Sequence, residues 1–253
     1  MLCVAATPSP LLAEDCSDEA VVAAPNTPKK LTQQTLHDAK DILTAPVRWH
    51  LHQWARFGEG MALVVAMYPR DTTISNILVR NHSRLGDRYL HAVTHLGGGY
   101  GEDLTFAMIA GGYFTHDERL MNTGIDALES SVFAGGIVTP VLKEAAGRAR
   151  PIANLGKHSF DPFENKSFPS GHSTSAFAIA TAIAARYNDT PAVPAIAYTL
   201  ATSVAIARVY DRAHFPSDVV AGALIGHAVA KSIVHNHVTV IPGHRALLVH
   251  VTF

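Results

Sequence analysis

The sequence predicts an all-α fold in which helices pack as a bundle. Apolar residues make up 48% of the 253 residues and charged residues only 16%, which gives ample material for a core. Apolar residues recur at helical spacing through most of the chain from Leu31 onward. Breaks between these runs carry helix-breaking residues, such as Gly97-Gly98-Gly99. The pattern therefore predicts a succession of helices joined by short turns.

The predicted helices follow one another at short intervals. In chain order they cover Leu31 to Leu43, Trp49 to Phe57 with Met61 to Met67, Ile74 to Leu96, Leu104 to Phe114, Leu120 to Lys143, His172 to Tyr187, Val193 to Tyr210 and Ser217 to His235. An irregular stretch, 151–169, contains glycine, proline and polar residues and predicts an ordered loop. We assign residues 31–236 to one helical domain.

The two ends of the chain differ in composition from this domain. Residues 1–30 begin with a short apolar stretch and continue with Asp, Glu, Ala and Pro, which favours a flexible arm or the remnant of an export signal. Residues 237–253 contain two apolar runs around Pro242-Gly243-His244-Arg245, which predicts a short β-hairpin or extension.

The apolar helices raise the question of whether the chain crosses a membrane. A crossing needs about 20 consecutive, mainly apolar residues. The best candidate, 192–207, is interrupted by Pro194 and by hydroxyl residues, and the mean hydropathy of the chain is only +0.14. We therefore expect a water-soluble bundle, and leave a peripheral membrane contact open.

Charge, cysteines and histidines exclude several functions. The net charge of −1 gives no general attraction for nucleic acid. Cys3 and Cys16 both lie in the N-terminal arm and form no disulfide framework for the core. His91 and His95 have the spacing of a metal-binding pair, but no third ligand is evident. We therefore predict no metal, no cofactor and no nucleic-acid partner; the oligomeric state stays open.

The first segment whose residues could take part in binding or catalysis runs from Lys143 to Pro151. Lys143 lies near the end of a long predicted helix, and Arg150 follows where Pro151 turns the backbone out of helix. Two cations at this separation can converge on one anion, and a guanidinium can bind two phosphate oxygens. The alternative is a solvated basic helix end that complements the helix dipole.

The second segment, Pro169-Ser170-Gly171-His172, leads directly into an apolar helix. Gly171 lets a ligand approach the backbone, and the amides at a helix start favour an anion. Ser170 adds a hydroxyl donor, and His172 at the mouth of this site could protonate a leaving oxygen. The alternative is an ordinary helix cap formed by Ser170.

The third segment pairs His214 with Asp218. Pro216 and Ser217 indicate a helix start, so His214 lies just outside the helix and Asp218 in its first turn. A carboxylate there can fix the tautomer of the imidazole and leave the other ring nitrogen free to act. The alternative is that Asp218 only favours the helix dipole.

Taken together, the three segments resemble the phosphatidic acid phosphatase type 2 and haloperoxidase superfamily. Its pattern is Lys, six residues, Arg-Pro; then Pro-Ser-Gly-His; then Ser-Arg, five residues, His, three residues, Asp. The chain matches it from Lys143 to Asp218, including Arg208, but carries Ala207 where the family has Ser. The resemblance implies the helical bundle of that superfamily, with the site at helix ends.

The resemblance also implies a role for each residue. His214 would attack phosphorus and form a phosphohistidine, and His172 would act as general acid. Lys143, Arg150 and Arg208, with Ser170 and the Gly171 amide, would bind the phosphate oxygens. The implied function is a metal-independent phosphatase of phosphate monoesters, lipid phosphates included, which vanadate would inhibit as a phosphate mimic. We place such an enzyme in the cell envelope, periplasmic or secreted.

Two other functions stay open. The first is a vanadium-dependent haloperoxidase, in which the same cations would hold vanadate as cofactor and His214 would ligate it. Such proteins are typically much longer than this chain. The second is a non-catalytic binding protein on a phosphatase scaffold, which the presence of His172, His214 and Asp218 disfavours.

Overall fold

The structure, a computed structural model, describes residues 28–239. Ten α-helices account for most of these residues: α1 Pro28–Arg48, α2 Leu51–Met67, α3 Asp71–Arg80, α4 Arg84–Thr94, α5 Gly99–Thr115, α6 Glu118–Ser131, α7 Thr139–Ala146, α8 Gly171–Arg186, α9 Ala192–Tyr210 and α10 Pro216–Thr239. Short 3-10 turns cover Tyr68–Arg70, His95–Gly97 and Pro151–Ala153. The predicted all-α class is confirmed.

Helix α8 lies at the centre of the bundle, where it packs on α10, α9 and α6. Its inward positions are small: Ala178 and Ala182 are fully buried, and Ala176 and Ala180 nearly so. Small side chains let neighbouring helices approach closely and interdigitate. The core on either side is completed by larger residues of α9 and α10, such as Val204 and Ile233.

Helices α8 and α10 approach each other closely at two glycines of α10. A Cβ on Gly222 would lie 2.5 Å from the carbonyl oxygen of Ser170, and one on Gly226 would overlap the carbonyl oxygen of Thr174. Ser173 Oγ donates across the same contact to the carbonyl oxygen of Val219 (2.7 Å). The starts of α8 and α10 are therefore held side by side.

Helices α6 and α7 are continuous through a π-helical turn, Val132–Val138. Gly135, within this turn, lies against Ser175 of α8 with no room for a Cβ. Thr139 Oγ1 donates to the carbonyl oxygen of Ala134 (2.8 Å) and to Thr174 Oγ1 (3.2 Å). π-Turns are frequent near functional sites, and this one shifts the phase of α7, the helix that carries Lys143.

The observed boundaries differ from the predicted ones in three places. Helix α1 continues through Pro46 to Arg48. The single predicted helix from Ile74 to Leu96 is two helices, because Ser83 begins a new one by accepting a hydrogen bond from the Gly86 amide (3.1 Å). Helix α2 continues through Gly58 and Gly60, where the sequence predicted two runs.

Three of the helical segments are long and apolar enough to cross a membrane. They are Glu118–Ala146 (29 residues), Ala192–Tyr210 (19 residues) and Pro216–His237 (22 residues), with mean hydropathies of 1.3, 1.5 and 1.3. This differs from our expectation of a water-soluble bundle. The expectation treated hydroxyl residues as interruptions, but Thr199 Oγ1 and Ser203 Oγ donate to carbonyl oxygens one turn earlier in α9 (2.7 and 2.9 Å). Hydroxyls satisfied within the helix do not end an apolar span.

The predicted ends of the chain lie largely outside the described residues. Helix α1 begins at Pro28 and α10 ends at Thr239. The rest of the proposed N-terminal arm, 1–27, and of the proposed C-terminal hairpin, 240–253, falls outside residues 28–239, so both stay predictions.

Candidate active site

The predicted site residues meet at one end of the bundle. Helices α8 and α10 begin there, at Gly171 and Pro216, while α7 and α9 end there, at Ala146 and Tyr210. Two helix starts contribute backbone amides and partial positive charge. The two helix ends bring Lys143 and Arg208, and Arg150 follows in the loop after α7.

The start of α8 is a capped helix N-terminus, the arrangement that the sequence offered as the alternative to an anion site, and the anion site stays a prediction. Ser170 is the N-cap, with its buried Oγ 3.5 Å from the Ser173 amide that it accepts from. The Ser170 amide donates to the carbonyl oxygen of Asp218 (3.0 Å), which ties this turn to α10. A Cβ on Gly171 would lie 3.9 Å from Lys143 Cε. Lys143 therefore passes directly beside the helix start.

Three cations surround this turn. Lys143 Nζ donates to the carbonyl oxygen of Lys166 (2.7 Å). Arg208 Nη1 donates to Thr94 Oγ1 (3.3 Å), while its buried Nε has no partner. Arg150 is exposed and interacts electrostatically with both Lys143 and Arg208. An anion bound here would supply an acceptor to the unpartnered Arg208 donor and relieve the repulsion among the cations.

His172 lies among these positive groups. Burial lowers its pKa to about 4, assisted by the nearby charges of Arg208, His214 and Lys143. The imidazole is therefore neutral in the empty site at ordinary pH. A bound phosphate would favour the protonated form, because it places negative charge beside the ring.

His214 is almost completely buried at the other helix start, with 2% of its surface exposed. Burial lowers its pKa, although the neighbouring Asp218 acts in the opposite direction. A neutral imidazole keeps a lone pair on one ring nitrogen, which a nucleophile requires.

The predicted partnership of His214 and Asp218 is close but is not a hydrogen bond. His214 Nδ1 lies 3.8 Å from Asp218 Oδ2 and has no hydrogen-bond partner. The same carboxylate oxygen accepts from Ser167 Oγ (2.6 Å) and from the Phe215 amide (2.9 Å). Catalytic hydrogen bonds are often long in an empty site. The role of Asp218 towards His214 stays a prediction.

Sequence reasoning missed a buried ion pair network behind the site. Arg148, 1% exposed, donates to Asp218 Oδ1 (2.6 Å) and to Asp71 Oδ2 (2.7 Å). Ser217 links Arg148 to Asp71, because its hydroxyl accepts from Arg148 Nη1 (2.7 Å) and its amide and hydroxyl both donate to Asp71. Phe215 stacks on the guanidinium at 4.3 Å. In the sequence, Arg148 could have been noticed because it lies within the first motif. Asp71 lies outside all three motifs, so nothing near it marks it as part of the site.

A cavity of about 430 Å³ opens beside the phosphate site. Asp211, which lies 3.7 Å from Arg208 Nη1, forms part of its wall. The other lining residues are polar or aromatic: His82, Asp87, Arg88, His91 and Tyr210.

The family model described as the PAP2 superfamily matches residues 127–241. Residues 127–241, the PAP2 segment, are therefore similar to the PAP2 superfamily. All eight predicted site residues lie within it: Lys143, Arg150, Ser170, Gly171, His172, Arg208, His214 and Asp218. The resemblance inferred from the three motifs is therefore confirmed.

Curated relatives match the PAP2 segment. A lipid A 1-phosphatase from Rhizobium etli is 38% identical over 105 residues, which are 39% of this chain and 44% of that protein. A lipid A 1-phosphatase from Porphyromonas gingivalis is 36% identical over 86 residues, 32% of this chain and 19% of that protein. The chain thus spans less than half the length of the curated relatives it matches.

Two solved structures share the PAP2 fold. One is the transmembrane PAP2-type phosphatidylglycerolphosphate phosphatase of Bacillus subtilis, with a TM-score of 0.56 and 25% identity over 85% of this chain and 99% of that chain. The other is LpxE of Aquifex aeolicus, with a TM-score of 0.52 and 23% identity over 65% of this chain and 94% of that chain. The helical architecture of the PAP2 segment is therefore shared with both.

Proposed function

We propose that this chain is a phosphatase that hydrolyses a phosphate monoester through a phosphohistidine on His214. The observation that carries the proposal is the convergence of His172, His214 and the basic side chains at the joint starts of α8 and α10. The charges of Arg208, His214 and Lys143 act on His172. The proposed acid therefore lies close to the proposed nucleophile and to the phosphate-binding groups.

The first step transfers the phosphoryl group to the enzyme. The Nε2 lone pair of His214 attacks phosphorus, because Nδ1 is the nitrogen that faces Asp218. The bond between phosphorus and the ester oxygen breaks, and protonated His172 gives its proton to the leaving alkoxide. In the second step neutral His172 accepts a proton from water, the oxygen of that water attacks phosphorus, and the N–P bond breaks to release inorganic phosphate.

Lys143, Arg150 and Arg208 supply the electrostatic part of the reaction. Charge in a phosphoryl-transfer transition state is spread over the three equatorial oxygens. The unpartnered Nε of Arg208 and the amides that follow Ser170 are fixed donors for them. With the phosphate neutralised by protein groups, the proposed reaction needs no metal ion or cofactor.

The substrate class we propose is a phosphorylated lipid. The matched relatives are named lipid A 1-phosphatases, and three helical segments are apolar enough to cross a membrane. The site lies at the ends of these segments, where a lipid headgroup would meet it. We accordingly place the enzyme in the membrane of the cell envelope.

The decisive test replaces the nucleophile. We expect His214→Ala to lower hydrolysis of a phosphorylated lipid by at least about a thousandfold, because covalent catalysis is lost. Brief incubation of the wild type with phosphate-labelled lipid, followed by alkaline quenching, should trap an acid-labile phosphoenzyme that the variant lacks. His116→Asn is the matched control, since His116 is exposed in a left-handed turn that asparagine tolerates. Wild-type turnover by His214→Ala would refute the proposal.

The proposed role of His172 as general acid predicts how the rate depends on the leaving group. His172→Ala should slow the first step, measured as the initial burst of leaving-group release, strongly on an alkyl phosphate and much less on p-nitrophenyl phosphate, because nitrophenolate leaves without a proton. EDTA added during the assay should leave both rates unchanged. Equal losses on the two substrates would contradict the assignment of His172, and a loss in EDTA would contradict the metal-independent reaction.

A further inference from the structure

Helix α1 carries an apolar face that the bundle does not cover. Leu36, Leu43 and Val47 are 66, 67 and 90% exposed. With Lys40, which is also exposed, they recur at intervals of four, three and four residues, so they share one face of the helix. Ile42, on another face, packs against a core cluster of α8 and α10. The outer stripe of α1 consists of Leu36, Lys40, Leu43 and Val47.

The outer stripe lies at the end of the bundle opposite the phosphate site. Helix α10 begins at that site with Pro216, and its apolar span ends at His237 after 22 residues. A helix of that length covers about 33 Å, close to the thickness of the hydrocarbon core of a bilayer. His237 Nε2 lies 2.8 Å from Asp38 Oδ2. This ion pair therefore holds α1 at the level where the span ends.

The charges of α1 suit an anionic lipid surface. Its two acidic residues, Asp38 and Asp41, are held in ion pairs with groups outside the outer stripe. Lys40 gives the stripe a positive charge. A lysine between apolar side chains can bury its stem among acyl chains and keep its ammonium group at the headgroups.

An aromatic cluster follows the outer stripe at the start of α2. The ring of Trp49 lies 5.0 Å from that of Trp54 and 5.5 Å from that of Phe57. Trp54 and Phe57 are only half-buried. Tryptophans are enriched at the boundary between membrane and water, where one part of the ring contacts apolar groups and another contacts water. The cluster of Trp49, Trp54 and Phe57 is typical of that boundary.

The exposed positions of α2 change in character just after the aromatic cluster. Arg56 and Glu59, in the first half of the helix, are charged and exposed. In the second half, Met61, Leu63 and Val65 are exposed and apolar. Lipid accepts the second set, whereas charged groups remain at the headgroups. The sequence of exposed residues therefore indicates a boundary between headgroups and acyl chains near the middle of α2.

We propose that the outer stripe of α1 and the aromatic cluster contact the surface of a lipid bilayer, at the end of the bundle opposite the phosphate site. The helix α1 lies at the level of the headgroups and does not cross the bilayer. This contact fixes the depth of the bundle, so that the start of α10 and the phosphate site meet the other surface. The inference rests on the proposed membrane location and does not depend on phosphoryl transfer.

The two tryptophans of the chain both belong to the aromatic cluster, so the intrinsic fluorescence reports on the cluster alone. The test places the wild-type chain in phosphatidylcholine vesicles whose acyl chains carry bromine, which quenches tryptophan on contact. Bromine near the glycerol end should quench at least about half of the emission, and bromine near the methyl end clearly less, because interfacial rings lie at the headgroup level. Weak quenching by both lipids would mean that protein covers the cluster. Stronger quenching by the deeper bromine would mean that the cluster lies inside the bilayer. Each of these two results would overturn the proposal.

A nitroxide label at Leu43 tests the outer stripe. Leu43→Cys is prepared together with Cys3→Ser and Cys16→Ser, so that the label attaches at one position. Collisions with dissolved oxygen should exceed those with a water-soluble nickel complex at least about twofold, because an interfacial helix turns its apolar face to the acyl chains. Asn188→Cys is the matched control. Asn188 is exposed in the turn between α8 and α9, at the same end of the bundle, and should show the opposite preference.

His214→Ala should give the same quenching and the same collision rates as its parent chain. Failure of this inference and failure of the proposed activity are therefore distinguishable. A preference of the Leu43 label for the nickel complex would place the outer stripe in water. Access by neither reagent would place it under protein, such as a second copy of the chain. Either result would contradict a contact with lipid.

Discussion

At the scale of single residues, Asp218 connects the phosphate site to the rest of the fold. Its Oδ1 accepts from Arg148 and its Oδ2 from Ser167 and the Phe215 amide, while its carbonyl oxygen accepts from the Ser170 amide. Asp218 therefore positions both helix starts, through its carboxylate and its backbone carbonyl, before it does anything for His214. A side chain so fully bonded moves little, which pre-organises the site for an anion.

The titration of His172 gives a prediction at the same scale. Burial and nearby cations hold its pKa at about 4 in the empty site, and a bound anion raises it. The complex then binds more protons than the empty site, so anion affinity rises as pH falls and levels off near the pKa of the empty site. We expect sulfate, which stays doubly charged, to bind more tightly at about pH 5 than at about pH 8.

Calorimetry in two buffers of different ionisation enthalpy measures the proton uptake directly. His172→Gln should bind sulfate with a much weaker dependence on pH, because the main titrating group is gone. The remaining dependence reports on the other groups around the anion, His214 and Lys143. Sulfate affinity that is flat with pH in the wild type would show that His172 does not face the anion.

At the scale of elements, the site depends on how closely α8 and α10 approach each other. The contact is made by Gly222 and Gly226 against the carbonyl oxygens of Ser170 and Thr174. Gly97 makes a similar approach from the turn before α5, where a Cβ would lie 2.6 Å from the carbonyl oxygen of His172. The start of α8, with His172, is thus placed by backbone contacts in which a side chain has no room.

Gly222→Ala tests the first of these contacts. The added methyl would meet the Ser170 carbonyl oxygen at 2.5 Å, so the two helix starts must separate. We expect a loss of about 1–3 kcal/mol in unfolding free energy, typical of overpacking, together with weaker phosphate binding. Thermal unfolding and product-inhibition constants measure the two effects.

Gly58→Ala is the matched control for that variant. Gly58 is an exposed position of α2, and a Cβ there would have nothing within 4 Å. Alanine in an open helical position stabilises by about 0.5–1 kcal/mol. If Gly222→Ala behaved like this control, the close approach of α8 and α10 would not position the site.

At the scale of the whole molecule, the residues of the site were easier to predict than the buried residues that hold them in place. Lys143, Ser170 and His214 belong to short motifs in which type and spacing carry the chemistry. Arg148 and Asp71 are separated by 77 positions, so their contact follows only from the fold. Of the missed groups, Arg148 alone had a local signal, as a second arginine in the first motif.

The candidate membrane spans were missed for a different physical reason. The sequence criterion counted uninterrupted apolar residues, but a hydroxyl that donates to a carbonyl oxygen of its own helix leaves no unsatisfied donor to face lipid. The structure adds that large apolar residues point outward from these segments. Those of α9 and of the α6–α7 helix include Ile196, Leu200, Ile206, Val132 and Val141.

Membrane insertion is therefore a prediction of the whole fold. We expect the chain to remain in the membrane pellet after alkaline carbonate extraction, which releases peripheral proteins. Leu200→Lys, an outward position near the middle of α9, should reduce the inserted fraction, because a lysine at the centre of a span costs about 2.5–3.5 kcal/mol. Leu155→Lys is the matched control, since Leu155 is exposed in the loop before α8. Release of the wild-type chain by carbonate would contradict membrane insertion. The outward leucines and isoleucines would then contact a partner other than lipid.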